Sequence, residues 1–332
     1  MGKRVTLQMI ADQAGVSVVT VSNVLSGRKG AGEEVRSRVN AIARELGYQK
    51  EKIKEETQTY RIGVMIAERY VQEYPSYYMN LYRQVAQEAS AKGCLTILDV
   101  VSEERERLAE AFRAFDNEEA DGILVIGEMS PDFLKRLLDP GRVPVVCLDF
   151  YDVGLDMDFI ITNSFRGMAA VTEYLIQNGH KDILFLGDPA ASGGIMDRYM
   201  GFCKSLRVHG LPETAPILDR ERGHYGAKIQ FELPGKLPDA FVCNCERTAI
   251  VLAQKLREMG ARIPEDVSAA AFDRFQEKDE GGLEFVTFES DESAMSQISI
   301  STLLRRIKGD HRQRGIRTVE GAVVYGNTVS RR

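Results

Sequence analysis

The stretch Thr6-Leu-Gln-Met-Ile-Ala-Asp-Gln-Ala14 is followed by Gly15-Val16 and then by Ser17-Val-Val-Thr-Val-Ser-Asn-Val-Leu25. The first residue of each long run is of a type that caps helix N-termini, and apolar residues then recur at helical spacing. The glycine lies where a left-handed residue would end the first helix. The stretch therefore predicts two short helices joined by a tight turn.

The second of these helices presents a polar outer face, which is typical of a helix that contacts DNA. Two short helices joined in this way form a helix-turn-helix, and the second helix fits the major groove. Short hydroxyls suit phosphates, asparagine suits an adenine edge, and valine methyl groups suit the thymine methyl group. The outward residues are Ser17, Val18, Val19, Thr20, Ser22 and Asn23. A plain helical hairpin buried in a core is the alternative, and it fits the polar face less well.

The charge of the chain is unevenly distributed. The net charge is −6, but residues 1–50 hold eight lysines and arginines against four acids, so this part carries +4 and the remainder −10. A basic head on an acidic body is expected when one small domain contacts phosphates. Arg28, just beyond the second helix, completes the predicted DNA-contact set.

The composition is that of a globular protein with two or three domains. The chain has 44% apolar and 28% charged residues. It lacks both an apolar run of roughly 18 residues, which could span a bilayer, and a secretory signal, so we expect a cytoplasmic protein. Its five cysteines are an odd number and are scattered, which predicts reduced thiols.

The spacing of apolar residues divides the chain into three parts. Residues 1–48 predict a three-helix domain, whose third helix begins after Gly32 and is lined by Val35, Val39 and Leu46. Residues 49–60 are charged and almost without apolar spacing, and we interpret them as a hinge or linker. Residues 61–332 form the remaining body.

In the body, continuous apolar runs alternate with helical stretches, which predicts parallel strands buried on both faces. The runs are 62–67, 95–98, 122–126, 143–148, 159–161, 183–186, 240–243 and 267–272, and the helices include 79–92, 166–178 and 247–260. Because these units exceed one compact sheet, we predict an α/β body of two lobes, each a doubly wound parallel sheet. A ligand would bind beyond the carboxyl ends of the strands, between the lobes.

Several motifs give the chain a resemblance to the lactose-repressor (LacI/GalR) family of bacterial transcription regulators. They are Ala14-Gly-Val-Ser-Val-Val-Thr-Val-Ser-Asn-Val-Leu-Ser-Gly27, Ala43-Arg-Glu-Leu-Gly-Tyr48, Asn178-Gly-His-Lys-Asp-Ile183, Asp197-Arg-Tyr-Met-Gly-Phe202, Ile263-Pro-Glu-Asp-Val-Ser268 and Ala271-Phe-Asp273. The resemblance covers essentially the whole chain. It implies a homodimer on a palindromic operator, with a periplasmic-binding-protein-like core that senses a small effector, most simply a sugar or sugar derivative.

The resemblance also assigns roles to single residues. In the head, Val18, Val19 and Asn23 fall at base-reading positions, and the phosphate-contact positions are Thr6, Ser17, Thr20 and Ser22. In the body, Arg198 matches an arginine that binds effector hydroxyls or carboxylates, and Asp273 matches an acid that accepts hydrogen bonds from hydroxyls. Asn244 matches an amide that belongs to the same set of contacts around the effector.

An aromatic plate and a second amide complete the predicted effector site. Tyr77 and Tyr78 follow the first strand, in a predicted loop, and are placed to cover a sugar ring. Asn163 stands at a cleft position where the family commonly has an acid, and Cys245 follows Asn244 where the family generally has an aspartate. Loss of two acids predicts an effector that is less polyhydroxylated than a hexose, or more anionic.

The hinge departs from the family pattern as well. The family has a Pro-Asn-x-x-Ala-Arg-x-Leu helix whose leucine enters the minor groove, whereas this chain has Thr57 at the leucine position. A wedge between bases needs an apolar side chain. Ile53 is a possible substitute, although acids surround it.

Other classes of function fit only part of the sequence. A solute-binding protein would need the body alone, and a regulator with a purine or protein corepressor would keep the head. The sequence contains no motif typical of an enzyme, a metal site or a cofactor site. Cys243-Asn-Cys245 lacks a second pair of metal ligands, and there is no nucleophile elbow. The loop 187–194 offers backbone amides to an anion but lacks a phosphate-binding signature.

Overall fold

A computed structural model describes residues 6–25, 32–46, 59–108, 110, 120–137, 143–219, 229–274 and 281–332. The chain separates into two compact units, Met1–Gln58 and Thr59–Arg332, called here the head and the body. Arg28, Ile53 and Thr57 lie outside the described residues, as does most of the predicted linker 49–60. None of the described helices is long and apolar enough to cross a membrane.

The described residues of the head form three helices, as predicted. They are Leu7–Ala14 (α1), Val18–Leu25 (α2) and Glu33–Glu45 (α3). The hydroxyl of Thr6 accepts a hydrogen bond from the backbone N–H of Met9, and Gly15 ends α1 in the left-handed region with φ of 65°. A small core joins the three helices through Ile10, Ala11, Ala14, Val21, Val24, Val39 and Ala43.

The body contains the two predicted lobes. Its strands are Arg61–Ala67 (β1), Leu95–Val101 (β2), Gly122–Ile126 (β3), Val145–Leu148 (β4), Asp158–Thr162 (β5), Ile183–Leu186 (β6), Ala240–Cys243 (β7), Ser268–Phe272 (β8), Val286–Ser290 (β9), Ile316–Val319 (β10) and Gly321–Val324 (β11). The first lobe has six parallel strands in the order β10-β5-β4-β3-β1-β2. The second has the order β11-β9-β8-β7-β6, in which only β11 is antiparallel.

Helices cover both faces of the sheets. In the described part of the body they are Glu68–Glu73 (α4), Pro75–Ala91 (α5), Glu103–Arg107 (α6), Pro131–Leu137 (α7), Ser164–Gln177 (α8), Gly193–Val208 (α9), Glu246–Glu258 (α10) and Glu292–Ile307 (α11). Strands such as β3, β4 and β8 are buried along their whole length. This two-sided burial explains why they form continuous apolar runs in the sequence.

The chain crosses between the lobes at three described points: after β5, after β9 and after β10. As a result, α11 packs on α5 in the first lobe, although the preceding strand belongs to the second. The eight predicted strands are all present, whereas β9, β10 and β11 were not predicted. Strands β10 and β11 lie at sheet edges and are partly exposed, and β10 has polar residues within it, Ile316-Arg-Thr-Val319, so it lacks a continuous apolar run.

Candidate functional site

A cavity of about 600 Å³ lies between the lobes of the body, at the carboxyl ends of the parallel strands. The first lobe contributes segments that follow β1, β2, β3 and β4, and the second contributes segments that follow β6, β7 and β8. Its size is that of a small-molecule site. The predicted position of the ligand cleft is thus the position of this cavity.

Tyrosine rings form much of the first-lobe wall. Tyr70, Tyr74, Tyr77 and Tyr78 line the cavity, with Tyr70 and Tyr78 stacked at 4.6 Å between ring centroids and Tyr77 edge-on to Tyr78 at 5.1 Å. The prediction that Tyr77 and Tyr78 lie in a loop is wrong, because both are in α5. Pro75 occupies the first turn of that helix, where a missing N–H costs nothing, so the helix begins before the predicted residue 79.

Arg198 and Asp273 meet on the second-lobe wall. Arg198 Nη2 donates to Asp273 Oδ2 at 3.1 Å, and Nη1 donates to the backbone carbonyl of Asn244 at 2.8 Å. The guanidinium carbon lies 4.0 Å from the centroid of the Phe272 ring. Ser290 Oγ donates to Asp273 Oδ1 at 2.6 Å. These contacts fix the two groups that the sequence predicts for effector binding, and both line the cavity.

Asn244 and Asn163, which the sequence predicts for effector binding, are not among the residues that line the cavity. The buried Asn244 side chain donates to Asp219 Oδ2 at 3.0 Å, and this residue serves the site through its backbone carbonyl. Asn163 caps α8 and donates to Glu320 Oε1 at 2.9 Å, which joins two of the crossings between the lobes. The Asn163 amide is thus used as a helix cap, and the Asn244 amide is used in a buried side-chain network with Asp219 and Thr248.

Asp149 is a site residue that the sequence reasoning missed. It follows β4 in the first lobe as Asp273 follows β8 in the second, and both adopt positive φ, 72° and 53°. Tyr77 Oη donates to Asp149 Oδ1 at 3.1 Å. Burial and the neighbouring Asp273 raise the pKa of Asp149 to about 7, although Arg198 opposes the shift. An aspartate directly after an apolar strand was the available signal.

Further charged groups surround the first-lobe side of the cavity. Arg69 donates to Glu106 Oε2 at 2.5 Å and to the backbone carbonyl of Glu128 at 2.5 Å. Glu106 is buried and also accepts from the backbone N–H of Ser130 at 2.6 Å. Burial raises the pKa of Glu128. The cavity is therefore rich in carboxylates, although Asn163 and Cys245 stand at two positions where the family has acids.

The predicted anion-binding loop reaches the cavity at its C-terminal end. Ser192 accepts a hydrogen bond from the backbone N–H of Ile195 and caps α9, and Gly193 and Gly194 line the cavity. Nearby, Tyr151 Oη in the first lobe lies 3.1 Å from the carboxylate oxygens of Asp197 in the second. This hydrogen bond joins the lobes directly across the rim of the cleft.

In the head, α2 presents most of the predicted DNA-contact face. Val19 is 68% exposed, which is unusual for an aliphatic side chain and leaves its methyl groups available. Ser17 is exposed, and its hydroxyl accepts from the backbone N–H of Thr20 at 3.1 Å. Ser22 and Asn23 are half-buried, and Val18 packs partly against the core of the head. The hydroxyls of Thr6 and Ser17 thus also cap helices.

Two family models match the chain. One describes bacterial regulatory proteins of the lacI family and matches residues 6–51. The other describes periplasmic binding proteins and the sugar binding domain of the LacI family and matches residues 59–317. Together they match both the head and the body.

Individual proteins show the same likeness. The HTH-type transcriptional repressor PurR of Actinobacillus pleuropneumoniae serotype 3 (strain JL03) is 26% identical over 325 residues, 95% of each chain. The lac repressor dimer bound to operator and the anti-inducer ONPF aligns with a TM-score of 0.66 at 22% identity, over 99% of this chain and 100% of that one. A LacI family regulator from Enterococcus faecium with bound ribose aligns with a TM-score of 0.65 at 20% identity, over 82% and 99% of the respective chains. The chain belongs to the LacI family of bacterial regulatory proteins: it is a DNA-binding transcription regulator with an effector-binding body.

Proposed function

We propose that the protein represses transcription in the cytoplasm as a homodimer on a palindromic operator, under the control of a small effector in the cleft. The main support for the effector site is that Arg198, Asp273 and the tyrosine wall, formed by Tyr70, Tyr74, Tyr77 and Tyr78, line one cavity. The solved lac repressor dimer on its operator supports the DNA-bound arrangement, and the ribose-bound regulator supports a sugar or sugar derivative as the effector.

On the DNA side, α2 enters the major groove. Exposed Val19 and the amide of Asn23 read bases, while Thr6, Ser17, Thr20 and Ser22 contact phosphates. Helix N-termini direct backbone N–H groups at phosphate oxygens, so capping by Thr6 and Ser17 places both helices for this contact. Two such heads in a dimer contact two half-sites.

On the effector side, the cleft supplies both polar and stacking contacts. Arg198 donates hydrogen bonds, and Asp273 and Asp149 accept them from hydroxyl groups. The rings of Tyr77 and Tyr78 cover an apolar face of the ligand. A sugar presents both kinds of surface, which makes it the ligand class that this set of groups fits.

The coupling between the two ligands is thermodynamic linkage. An effector that touches both lobes stabilises the arrangement in which they are close, as does the hydrogen bond from Tyr151 to Asp197. If the operator prefers one arrangement of the lobes, the effector changes operator affinity by the ratio of its affinities for the two arrangements.

The test is selection of duplexes from a random pool by the full-length protein at about 0.1 M salt, where weak phosphate binding is partly suppressed. We expect enrichment of a palindrome whose half-sites are about one helical turn apart. The Arg198→Ala variant serves as a matched control, because it alters the cleft and should select the same palindrome. Binding without enrichment, which merely fades as salt rises, would contradict the proposal.

A further inference from the structure

The cleft is lined by more acidic groups than basic groups. Within the described residues, six carboxylates and three guanidinium groups line the cavity. The carboxylates are those of Glu73, Glu103, Glu106, Glu128, Asp149 and Asp273, and the guanidinium groups are those of Arg69, Arg107 and Arg198. A cavity that excludes water strengthens the effect of such an excess on the choice of ligand.

Both inner arginines are already paired with a carboxylate of their own lobe. Arg69 is paired with Glu106 and Arg198 with Asp273. The third, Arg107, is exposed, at the end of α6. The charge of each inner guanidinium group is therefore already balanced by a carboxylate, although Arg198 keeps an N–H, at Nε, that has no hydrogen-bond partner among the described residues.

Two carboxylates of the lining have no such partner. In the described part of the chain, neither Asp149 nor Glu128 forms an ion pair, and both are only half-exposed. Asp149 lies close enough to Asp273 of the other lobe for the two carboxylates to repel each other. Arg198 offsets part of this repulsion, because it acts to lower the pKa of both aspartates, yet the pKa of Asp149 stays raised. A further positive charge beside Asp149 would therefore lower the free energy of the pair.

Two rings of the tyrosine wall are already matched with cations. The face of an aromatic ring is negative and attracts cations. Guanidinium carbons lie 4.9 Å from the Tyr70 centroid for Arg69 and 5.3 Å from the Tyr74 centroid for Arg247. The excess of negative potential in the cleft therefore comes from the carboxylates and not from these two rings.

We propose that the effector carries a protonated amine, as an amino sugar does, and that Asp149 and Glu128 hold its ammonium group. Arg198 and Asp273 then take its hydroxyl groups, and the ammonium group screens the repulsion between the two aspartates as the cleft closes. This inference rests on the proposed function of the cleft and specifies its ligand class.

The experiment uses three matched series of sugars on the full-length protein: glucosamine and galactosamine, glucose and galactose, and glucuronate and galacturonate. Calorimetric titration at pH 7.5 measures the affinity of each sugar. In parallel, titration with a duplex that carries the selected palindrome measures operator affinity in the presence of each sugar. We expect an amine to bind roughly tenfold or more tighter than its neutral analogue, the effect of a hydrogen bond to a charged group.

Glu128→Gln should abolish most of the preference for the amine, while binding of the neutral analogue changes little. Asp149→Asn should weaken binding of the amine more than binding of the neutral analogue, because asparagine keeps an oxygen that accepts hydrogen bonds from hydroxyl groups but has no charge. Glu104→Gln is the matched control, because Glu104 is exposed on α6 and lies outside the cavity lining. Preference for neutral or acidic sugars, or no binding of either amine, overturns the inference. A neutral sugar that changes operator affinity and binds at least as tightly as its amine would overturn the inference while leaving the proposed function intact. Failure to select any palindrome would contradict the proposed function itself.

Discussion

Asp149 and Asp273 occupy equivalent positions in the two lobes: each directly follows a buried parallel strand, each has positive φ, and both face one cavity. Aspartate tolerates the left-handed region better than most residues, because its short side chain can bond locally. The pair differs in its neighbours, since Asp273 is held by Arg198 and Ser290, whereas Asp149 accepts from Tyr77. The two lobes therefore present similar backbone geometry with different charge.

Replacing Arg198 with alanine should abolish the response to effector and leave operator affinity unchanged. The variant loses donors to the ligand and leaves the buried Asp273 without its cation. The measurement is the rise in melting temperature that effector produces in wild-type and variant protein. Arg207→Ala is the control on the same helix, because that side chain is 76% exposed and its ion pair with Glu213 is worth little. An equal loss in both variants would contradict the assignment.

Asp149→Asn should change how stability depends on pH. The pKa of Asp149 is raised to about 7 by burial and Asp273, against the opposing effects of Arg198, Tyr77 and Tyr78. Between pH 4 and 7 the folded protein therefore keeps a proton that the unfolded chain releases, so this group lowers stability as pH rises.

Asparagine removes that penalty. The difference in melting temperature between Asp149→Asn and wild type should be larger, in favour of the variant, at pH 8 than at pH 5. The expected increase is a few degrees, which corresponds to roughly 1–2 kcal/mol in the free energy of unfolding. Asp132→Asn should show no such trend, since the Asp132 side chain is 91% exposed. A difference between Asp149→Asn and wild type that does not vary with pH would disprove the raised pKa.

In the head, Asn23→Ala and Thr20→Ala should have different effects on DNA binding. Loss of the amide at residue 23 should relax preference at one base position by about 1–3 kcal/mol. Thr20→Ala should weaken binding to all duplexes alike, because a phosphate contact carries no sequence information. Titrations against the selected palindrome and its single-base variants distinguish the two outcomes, and uniform weakening in both would refute the base-reading role.

Tyr151→Phe should lower effector affinity about three- to tenfold, because it removes the hydrogen bond to Asp197 across the cleft. Operator affinity without effector should change less. Tyr325→Phe is a matched control, since that residue is 65% exposed and its ring packs on Tyr174. Calorimetric titration of both variants with the effector measures these affinities. Equal effector affinities of Tyr151→Phe and wild type would show that the hydrogen bond does not stabilise closure.

Gly201→Ala should destabilise the body by roughly 1–3 kcal/mol, a drop of several degrees in melting temperature. A Cβ at this position would lie 2.1 Å from the backbone carbonyl oxygen of Phe165, where α8 and α9 meet. Gly235→Ala should be nearly neutral, because a Cβ there meets nothing within 4 Å. Thermal unfolding of the two variants tests whether this close helix contact is required.

Much of the fold was predictable because its signals are local. The caps at Thr6 and Ser17 and the turn at Gly15 define the head within a few residues of sequence. Parallel strands buried on both faces necessarily appear as apolar runs. The edge strand β10 escaped prediction because it is partly exposed and polar residues interrupt its sequence, Ile316-Arg-Thr-Val319. The start of α5 at Pro75 was missed because a proline signals a helix start as well as a break.

The sequence by itself determined the three-helix head and the two-lobed parallel architecture, which follow from periodicity and caps, and the family motifs placed Arg198 at the cleft that it lines. The tertiary structure alone decided which polar groups share the cavity. It directed the amides of Asn163 and Asn244 toward the backbone and Asp219, and placed Asp149 opposite Asp273. The physical reason is that charge and burial at a site depend on residues far apart in the chain, which only the packing of two lobes brings together.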